Sequence, residues 1–240
     1  MPANVGTRLG FGWVAVCVVV WTIVFAPLVV LHSAVQPGAR TFKLWAGLWA
    51  RFIMASVGVR LRVEDLAHLA PNTPAVFVAN HQNALDILTT AAGIPYPFGF
   101  AAKAGLRRLP LIGWVLARTA CLFVDRSTPR KAAESVIVAS ERLRRGDAVL
   151  LFPEGGRSWS GELAPFQRGA FVLAAQAGVP LVPIALVGND RCLDERARAF
   201  RPGRVRLVVG PPVATAGRGK DAVPALMEEV REWIEEELRG

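Results

Sequence analysis

Seven residues invite a chemical reading first. "NHQNALD", residues 80–86, follows directly on the apolar run "PAVFVA". Of the three histidines, His32, His68 and His81, only His81 has a carboxylate, Asp86, within about one helical turn downstream. A neutral imidazole held by a carboxylate on one nitrogen offers the other as a general base. The same spacing also suits a helix start. With Asn83 as N-cap, Asp86 falls at the third helical position, where a carboxylate stabilises the first turn. Capping accounts for Asp86 but leaves His81 unexplained. The pair alone leaves both readings open.

A base needs a proton to take. No G-x-S-x-G elbow occurs in the chain, so a serine nucleophile lacks its usual setting. Cys17, Cys121 and Cys192 are far apart, which argues against a disulfide framework or metal spacing. Cys121 sits in an apolar run and reads as core. The base would then act on a substrate hydroxyl or on water.

A second polar turn follows another apolar run, in "LLFPEGGRSWSGELAPFQRGAF", residues 150–171. Gly155 and Gly156 permit close backbone approach to a ligand. Arg157 carries a planar fork suited to phosphate. Lys103 ends the run "PFGFAA" and Arg126 ends "CLFV". Each alone reads equally as a surface charge. Their recurrence at strand ends argues for one shared edge, where open α/β sheets bind ligands.

The elements that must position these residues are legible from residue 59 onward. "VRLRVE" alternates as a half-buried strand does. The runs at 74–80, 97–103, 120–126, 147–154, 180–188 and 205–210 are continuously apolar, as in strands covered on both faces. Helical stretches lie between them at 129–145, with Thr128 as N-cap and Pro129 in the first turn, at 167–177 and at 221–238. The expected fold is α/β, a mostly parallel mixed sheet covered by helices. Residues 211–220 read as a loop.

The N-terminal stretch is different. Between Arg8 and Arg40 there is no Asp, Glu, Lys or Arg. Residues 11–31 supply the roughly 20 apolar residues a bilayer core requires. A secretory signal would have an apolar region of only about 7–15 residues. After the Pro37-Gly38 turn, Phe42, Leu44, Trp45, Leu48, Trp49, Phe52 and Ile53 recur at helical spacing beside Lys43 and Arg51. That pattern fits an interfacial helix or a core helix. The expected division is 1–58 as two membrane-anchoring helices and 59–240 as the α/β domain. Of 240 residues 52% are hydrophobic, and the net charge is +9. Such a chain favours anionic partners. Aromatics are 8%, mostly in apolar segments, so a nucleic-acid surface is not expected and a membrane is.

Taken together, the motifs resemble those of the glycerolipid acyltransferase family, specifically 1-acyl-glycerol-3-phosphate acyltransferases. The family's N-H-x-x-x-x-D is here Asn80 to Asp86. A strand ending in Asp-Arg is here "CLFVDR", and F-P-E-G-T-R-S is here "FPEGGRS". An apolar strand with V-P-I is here Val182-Pro183-Ile184, and "AAKAGLRRLPLIGW" resembles the family's lysine-led segment. The resemblance spans residues 60 to 210. One position departs: Gly156 stands where the family usually has Thr, which removes a hydroxyl.

The resemblance implies a phospholipid-synthesising enzyme in which His81 and Asp86 are catalytic. It implies that Lys103, Arg126, Glu154, Gly155, Gly156 and Arg157 bind substrate, with Glu154 on glycerol oxygens or orienting Arg157. The acyl donor would be acyl-CoA or acyl carrier protein and the acceptor lysophosphatidic acid, with no metal or redox cofactor. The expected location is the inner (plasma) membrane, with the catalytic domain cytoplasmic. Other lysolipid acceptors such as lyso-ornithine lipid, hydrolysis by activated water and a non-enzymatic membrane scaffold remain as alternatives.

Overall fold

The computed structural model describes residues 4–36, 38–71, 73–105, 121–124, 128–158 and 162–240, except for the side chains of residues 102, 103, 129, 132, 133 and 220. Arg126, Arg107 and Arg108 lie outside the described residues.

Two helices come first. α1 runs Val5–Val35 and α2 runs Ala39–Ser56. Asn4 caps α1 by accepting from Thr7 N. Pro27 lies within α1 without ending it. The two helices pair antiparallel, and indole N–H groups stitch them. Trp13 donates to Ser56 O, Trp21 to Ser56 Oγ, Trp45 to His32 Nδ1 and Trp49 to Thr22 Oγ1. Each bond satisfies an indole donor at the seam between the two helices. α2 has two sides. Ala50, Ile53 and Met54 are buried in a shared core with Leu85, Leu88 and Ala91, while Leu44 and Phe52 are exposed.

The α/β part contains, among the described residues, a seven-stranded sheet in the order β1-β9-β6-β2-β5-β3-β4. The strands are β1 Val59–Glu64, β2 Val76–Ala79, β3 Gly99–Lys103, β4 Leu122–Val124, β5 Val149–Leu151, β6 Leu181–Val187 and β9 Gly203–Val209. Only β6 and β9 pair antiparallel; the remaining neighbours are parallel. β7 Leu193–Asp194 and β8 Ala199–Phe200 form a separate small hairpin. The helices are α3 Leu85–Gly93, α4 Pro129–Arg144, α5 Gly169–Ala177, α6 Asn189–Cys192 and α7 Val223–Arg239. Thr128 caps α4, its Oγ1 accepting from Lys131 N at 3.3 Å.

Strand burial explains the layering. On central β2, Val76 and Val78 join one core with Phe171, Leu226 and Val230 from α5 and α7. Phe77 and Ala79 join another with Ile94, Phe98 and Leu207. Side chains alternate across a strand, so a strand apolar at every position must be covered on both faces. Edge strand β1 alternates instead, with Val59 buried and Arg60 and Arg62 exposed.

α2 is tied to the far end of α3 by charge as well as packing. Lys43 donates to Ala91 O, and Arg51 donates to Ala92 O at 3.1 Å. Cations suit these carbonyls because a helix C-terminus carries partial negative charge. The N-terminal half of α1 lies on the β7–β8 hairpin, where Gly10 lets the helix approach Phe200. A Cβ there would come within 2.9 Å of Phe200 O.

Candidate active site

β2, β5 and β6 run parallel, so their carboxyl ends open on one edge. The polar turns that follow them meet there. Asn80 first prolongs the β2–β6 pairing with its side chain: Nδ2 donates to Leu186 O and Oδ1 accepts from Leu186 N. The amide imitates one more rung of the ladder and fixes where the chain leaves β2.

His81 comes next. Its Nδ1 lies 2.8 Å from Asp86 Oδ2. A carboxylate only accepts, so Nδ1 carries the hydrogen and Nε2 is the acceptor nitrogen. The ring stacks on Phe152, with centroids 4.0 Å apart and planes 17° from parallel. Phe152 and Asp86 together hold the ring's plane and tilt. The His81 side chain is 14% exposed and that of Asp86 is fully buried.

Asp86 is surrounded by donors. Oδ2 also accepts from Gln82 N at 2.6 Å and Asn83 N at 2.9 Å. Oδ1 accepts from Asn189 Nδ2 at 2.6 Å. Both sequence readings of Asp86 therefore coexist: it ties the turn before α3 and orients His81. The helix begins at Leu85 rather than at Asn83, and Ala84 is its N-cap. Asn83 is instead a brace. Its Oδ1 accepts from Leu85 N, and its Nδ2 donates to Asn189 O and Leu193 O.

The turn after β5 closes over this motif. Glu154 Oε1 accepts from His81 N at 2.6 Å, and Oε2 accepts from Ala164 N at 2.9 Å. Ser158 N donates to His81 O at 2.7 Å. Arg231 of α7 donates to Leu163 O and Ala164 O, which anchors the loop that Glu154 grips. Burial pushes the Glu154 carboxyl above its ordinary value, against the downward pull of the two backbone N–H groups.

The candidate residues thus separate into groups. His81, Asp86, Glu154, Gly155, Gly156 and Arg157 converge on one edge. Lys103 ends β3 in register with Val124, at the same carboxyl side of the sheet; its side chain is not described. Arg126 is outside the described residues. The expectation that Glu154 orients Arg157 is corrected. The Arg157 guanidinium pairs with Glu195, its Nη1 lying 2.9 Å from Oε1 and 2.8 Å from Oε2. Each Glu154 oxygen accepts from a main-chain amide, so the carboxylate ties two loops together. Gly155 has φ 75°, a left-handed conformation that favours glycine. Gly156 does not share it, and no heavy atom lies within 4 Å of where its Cβ would be.

Asn189 and Glu195 escaped the sequence reading. Asn189 stands at the carboxyl end of β6, the same kind of position that singled out His81, so strand-end logic could have found it. Glu195 lies in a two-residue-strand hairpin too short for any periodicity to reveal. Among the described residues no group of three His, Cys, Asp or Glu side chains could hold a metal. A cleft of about 480 Å³ beside the starts of β2, β3 and β5, lined by Arg40, Phe77, Tyr96 and Asp147, contains none of the site residues.

The family model for acyltransferases matches residues 60–187, more than half of the chain. The chain belongs to the acyltransferase family. This acyltransferase is 34% identical over 230 residues to a 1-acyl-sn-glycerol-3-phosphate acyltransferase of Chlamydomonas reinhardtii, covering 92% of this chain and 68% of that one. It is 34% identical over 202 residues to a chloroplastic 1-acyl-sn-glycerol-3-phosphate acyltransferase of Arabidopsis thaliana, covering 83% of this chain and 55% of the relative. The human 1-acyl-sn-glycerol-3-phosphate acyltransferase alpha is 36% identical over 175 residues, covering 72% and 62%. This acyltransferase therefore spans a little over half the length of the plant and human relatives. The crystal structure of the 1-acyl-sn-glycerophosphate (LPA) acyltransferase from Thermotoga maritima shares the fold, with a TM-score of 0.78, 23% identity, and coverage of 97% and 95% of the two chains. The mostly parallel sheet expected from the sequence is the fold observed. α1 is long and apolar enough to cross a membrane and is little buried by the rest of the chain, which suggests membrane association.

Proposed function

We propose that this acyltransferase moves a fatty acyl group from acyl-CoA or acyl carrier protein to the sn-2 hydroxyl of lysophosphatidic acid, giving phosphatidic acid. The observation that carries the chemistry is the His81–Asp86 pair, with Nδ1 committed to Asp86 and the ring clamped on Phe152. The relatives' names carry the choice of substrate.

In this reading His81 Nε2 takes the proton of the acceptor hydroxyl as its oxygen attacks the thioester carbonyl. The tetrahedral oxyanion collapses and expels the thiolate, which recovers the proton from the imidazolium. Asp86 keeps the imidazole in the required tautomer and balances its transient charge. No covalent acyl-enzyme and no cofactor beyond the acyl donor is called for. Arg157 holds the acceptor phosphate through charge-assisted hydrogen bonds; Lys103 and Arg126 are further cations for the same headgroup.

The acceptor is amphiphilic, which gives α1 its purpose. Leu9, Trp13, Val16, Val20 and Ile23 share one exposed apolar face. At about 1.5 Å per residue, α1's 31 residues exceed the roughly 30 Å of a bilayer core. We place the enzyme at the inner (plasma) membrane, with its α/β domain on the cytoplasmic side.

The test is transfer of labelled acyl groups from acyl-CoA or acyl carrier protein to lysophosphatidic acid, lyso-ornithine lipid and monoacylglycerol in mixed micelles. Arg157→Ala should raise KM for lysophosphatidic acid by about tenfold or more, the equivalent of one lost charge-assisted hydrogen bond, and leave monoacylglycerol unaffected. Preference for an acceptor without phosphate, or release of free fatty acid as the main product, would refute the assignment.

A further inference from the structure

We propose that the β7–β8 hairpin carries a cationic rim, formed by Arg191, Arg198 and Arg201 with Arg8 of α1 beside it, that docks on anionic phospholipid headgroups. The proposal rests on the reading of α1 as the membrane contact and names the lipid class which that contact selects.

Placement supports it first. Cys192, Leu193 and Phe200 of the hairpin are buried in one core with Cys17, and Phe11, Val14 and Val18 of α1 pack against it. On its other side α1 exposes Leu9, Val16, Val20 and Ile23. The three hairpin arginines flank these buried residues along the chain. Arg201 N donates to Cys192 O at 2.9 Å, which brings Arg201 back beside Arg191. Phe200 meets α1 at Gly10, so the hairpin lies at the amino-terminal end of α1, where Arg8 stands. A bilayer that takes up the apolar face of α1 meets these cations at the depth of its headgroups. An arginine stem lies along apolar surface while its guanidinium stays with charged oxygens.

Charge supports it second. Arg8, Arg191, Arg198 and Arg201 are exposed, and among the described residues none of the four is paired with a carboxylate. The acidic surplus of the chain lies elsewhere. α7 holds six glutamates against Arg231 and Arg239, and it packs on the opposite face of the sheet. A molecule polarised in this way turns its hairpin toward a negative surface. An acidic protein partner would match the charge but not the apolar face that adjoins it. Asn83 Nδ2 donates to Leu193 O, so the docked hairpin holds the histidine motif close to the layer that supplies the acceptor.

The experiment floats the full chain with vesicles of phosphatidylcholine alone and of equal parts phosphatidylcholine and phosphatidylglycerol, at low and high salt. The proteins are wild type, R191Q/R198Q/R201Q, its lysine counterpart R191K/R198K/R201K, and R130Q/R144Q/R145Q, which removes the same charge from α4 and its C-cap. Wild type should bind the anionic vesicles more tightly, and high salt should remove the excess. A basic residue at an anionic surface contributes about fivefold to partition, so the glutamine triple should bind those vesicles roughly a hundredfold more weakly. Its binding to phosphatidylcholine alone, and its turnover in neutral detergent micelles, should not change. The lysine triple and the α4 control should stay close to wild type, because the headgroup layer reads charge and position rather than fork geometry. Equal losses in the glutamine triple and the α4 control would make the effect one of net charge and overturn the proposal. So would wild-type binding by the glutamine triple, or a lysine triple that fails as the glutamine one does. Loss of transfer from acyl carrier protein with vesicle binding intact would assign the rim to the carrier and likewise overturn it. If wild type binds neither kind of vesicle, the membrane reading of α1 falls too; if it binds both alike, only the rim falls.

Discussion

Asn189 Nδ2 donates to Asp86 Oδ1 at 2.6 Å, and both side chains are wholly buried. This contact fixes the carboxylate from the side opposite His81. Asn189→Ala leaves a buried carboxylate oxygen unpaired, at a cost of about 1–3 kcal/mol. Asn189→Asp fills the space but turns a donor into a second acceptor beside Asp86. If Asn189 acts by donating, Asn189→Asp should lose more kcat than Asn189→Ala, with KM for both substrates little changed. A milder Asp variant would mean that Asn189 merely packs.

His81→Ala should lower kcat by about 10²–10⁴-fold, the usual contribution of a general base, with the chain still folded and a small fall in melting temperature from the lost stacking on Phe152. Asp86→Asn should lower both. Four donors converge on the Asp86 carboxylate, and an amide's NH₂ must face at least one of them. Steady-state kinetics and thermal melting separate the two effects; full activity of Asp86→Asn would reduce Asp86 to a helix-start residue.

Glu154 gives stability a definite dependence on pH. Burial raises its carboxyl above the ordinary 4.5 in the folded state. Over the window that opens at that value and runs upward, the folded chain binds more protons than the unfolded chain, so this group's contribution to stability falls as pH rises. Glu154→Gln removes that titration. The melting temperature of wild type minus that of Glu154→Gln should therefore decrease as pH rises through the window. A difference that is flat or increases with pH contradicts the buried, raised carboxyl.

The adjacent glycines should respond differently. Gly155 at φ 75° penalises any side chain, and Gly155→Ala should cost about 1–3 kcal/mol and much of the activity. Gly156→Thr meets open space and should leave the melting temperature within a degree or so of wild type, since unstrained surface substitutions fall within about 0.5 kcal/mol. Its effect should show in KM for the acceptor. Thermal melts of the two variants decide the matter.

The outward face of α1 is separable from its inward one. Replacing exposed Leu9, Val16, Val20 and Ile23 with Ser or Gln should release the enzyme from vesicles in a flotation assay. The buried side, with Cys17 and Phe25, would still pack on α2. Retention on vesicles at wild-type level would count against α1 as the anchor.

Sequence alone determined the elements with strong periodicity and the two chemical turns. "PAVFVA" and "LVPIALV" are apolar at nearly every position, as suits strands covered on both faces, so a parallel sheet could be read from them. A strand followed at once by "NHQNALD" or "PEGGRS" places those residues at a sheet edge, and the spacing of His81 and Asp86 makes their contact a local one. The partners of these residues were decided by tertiary structure. Glu154 grips His81 N across 73 residues, Asn189 reaches Asp86 across 103, and Arg157 chooses Glu195 across 38. Charge pairing carries no sequence periodicity, and several carboxylates were available to Arg157. Which one it met depended on how β6 returns beside β2 and where the short hairpin after it lands, a question settled only when the strands pack.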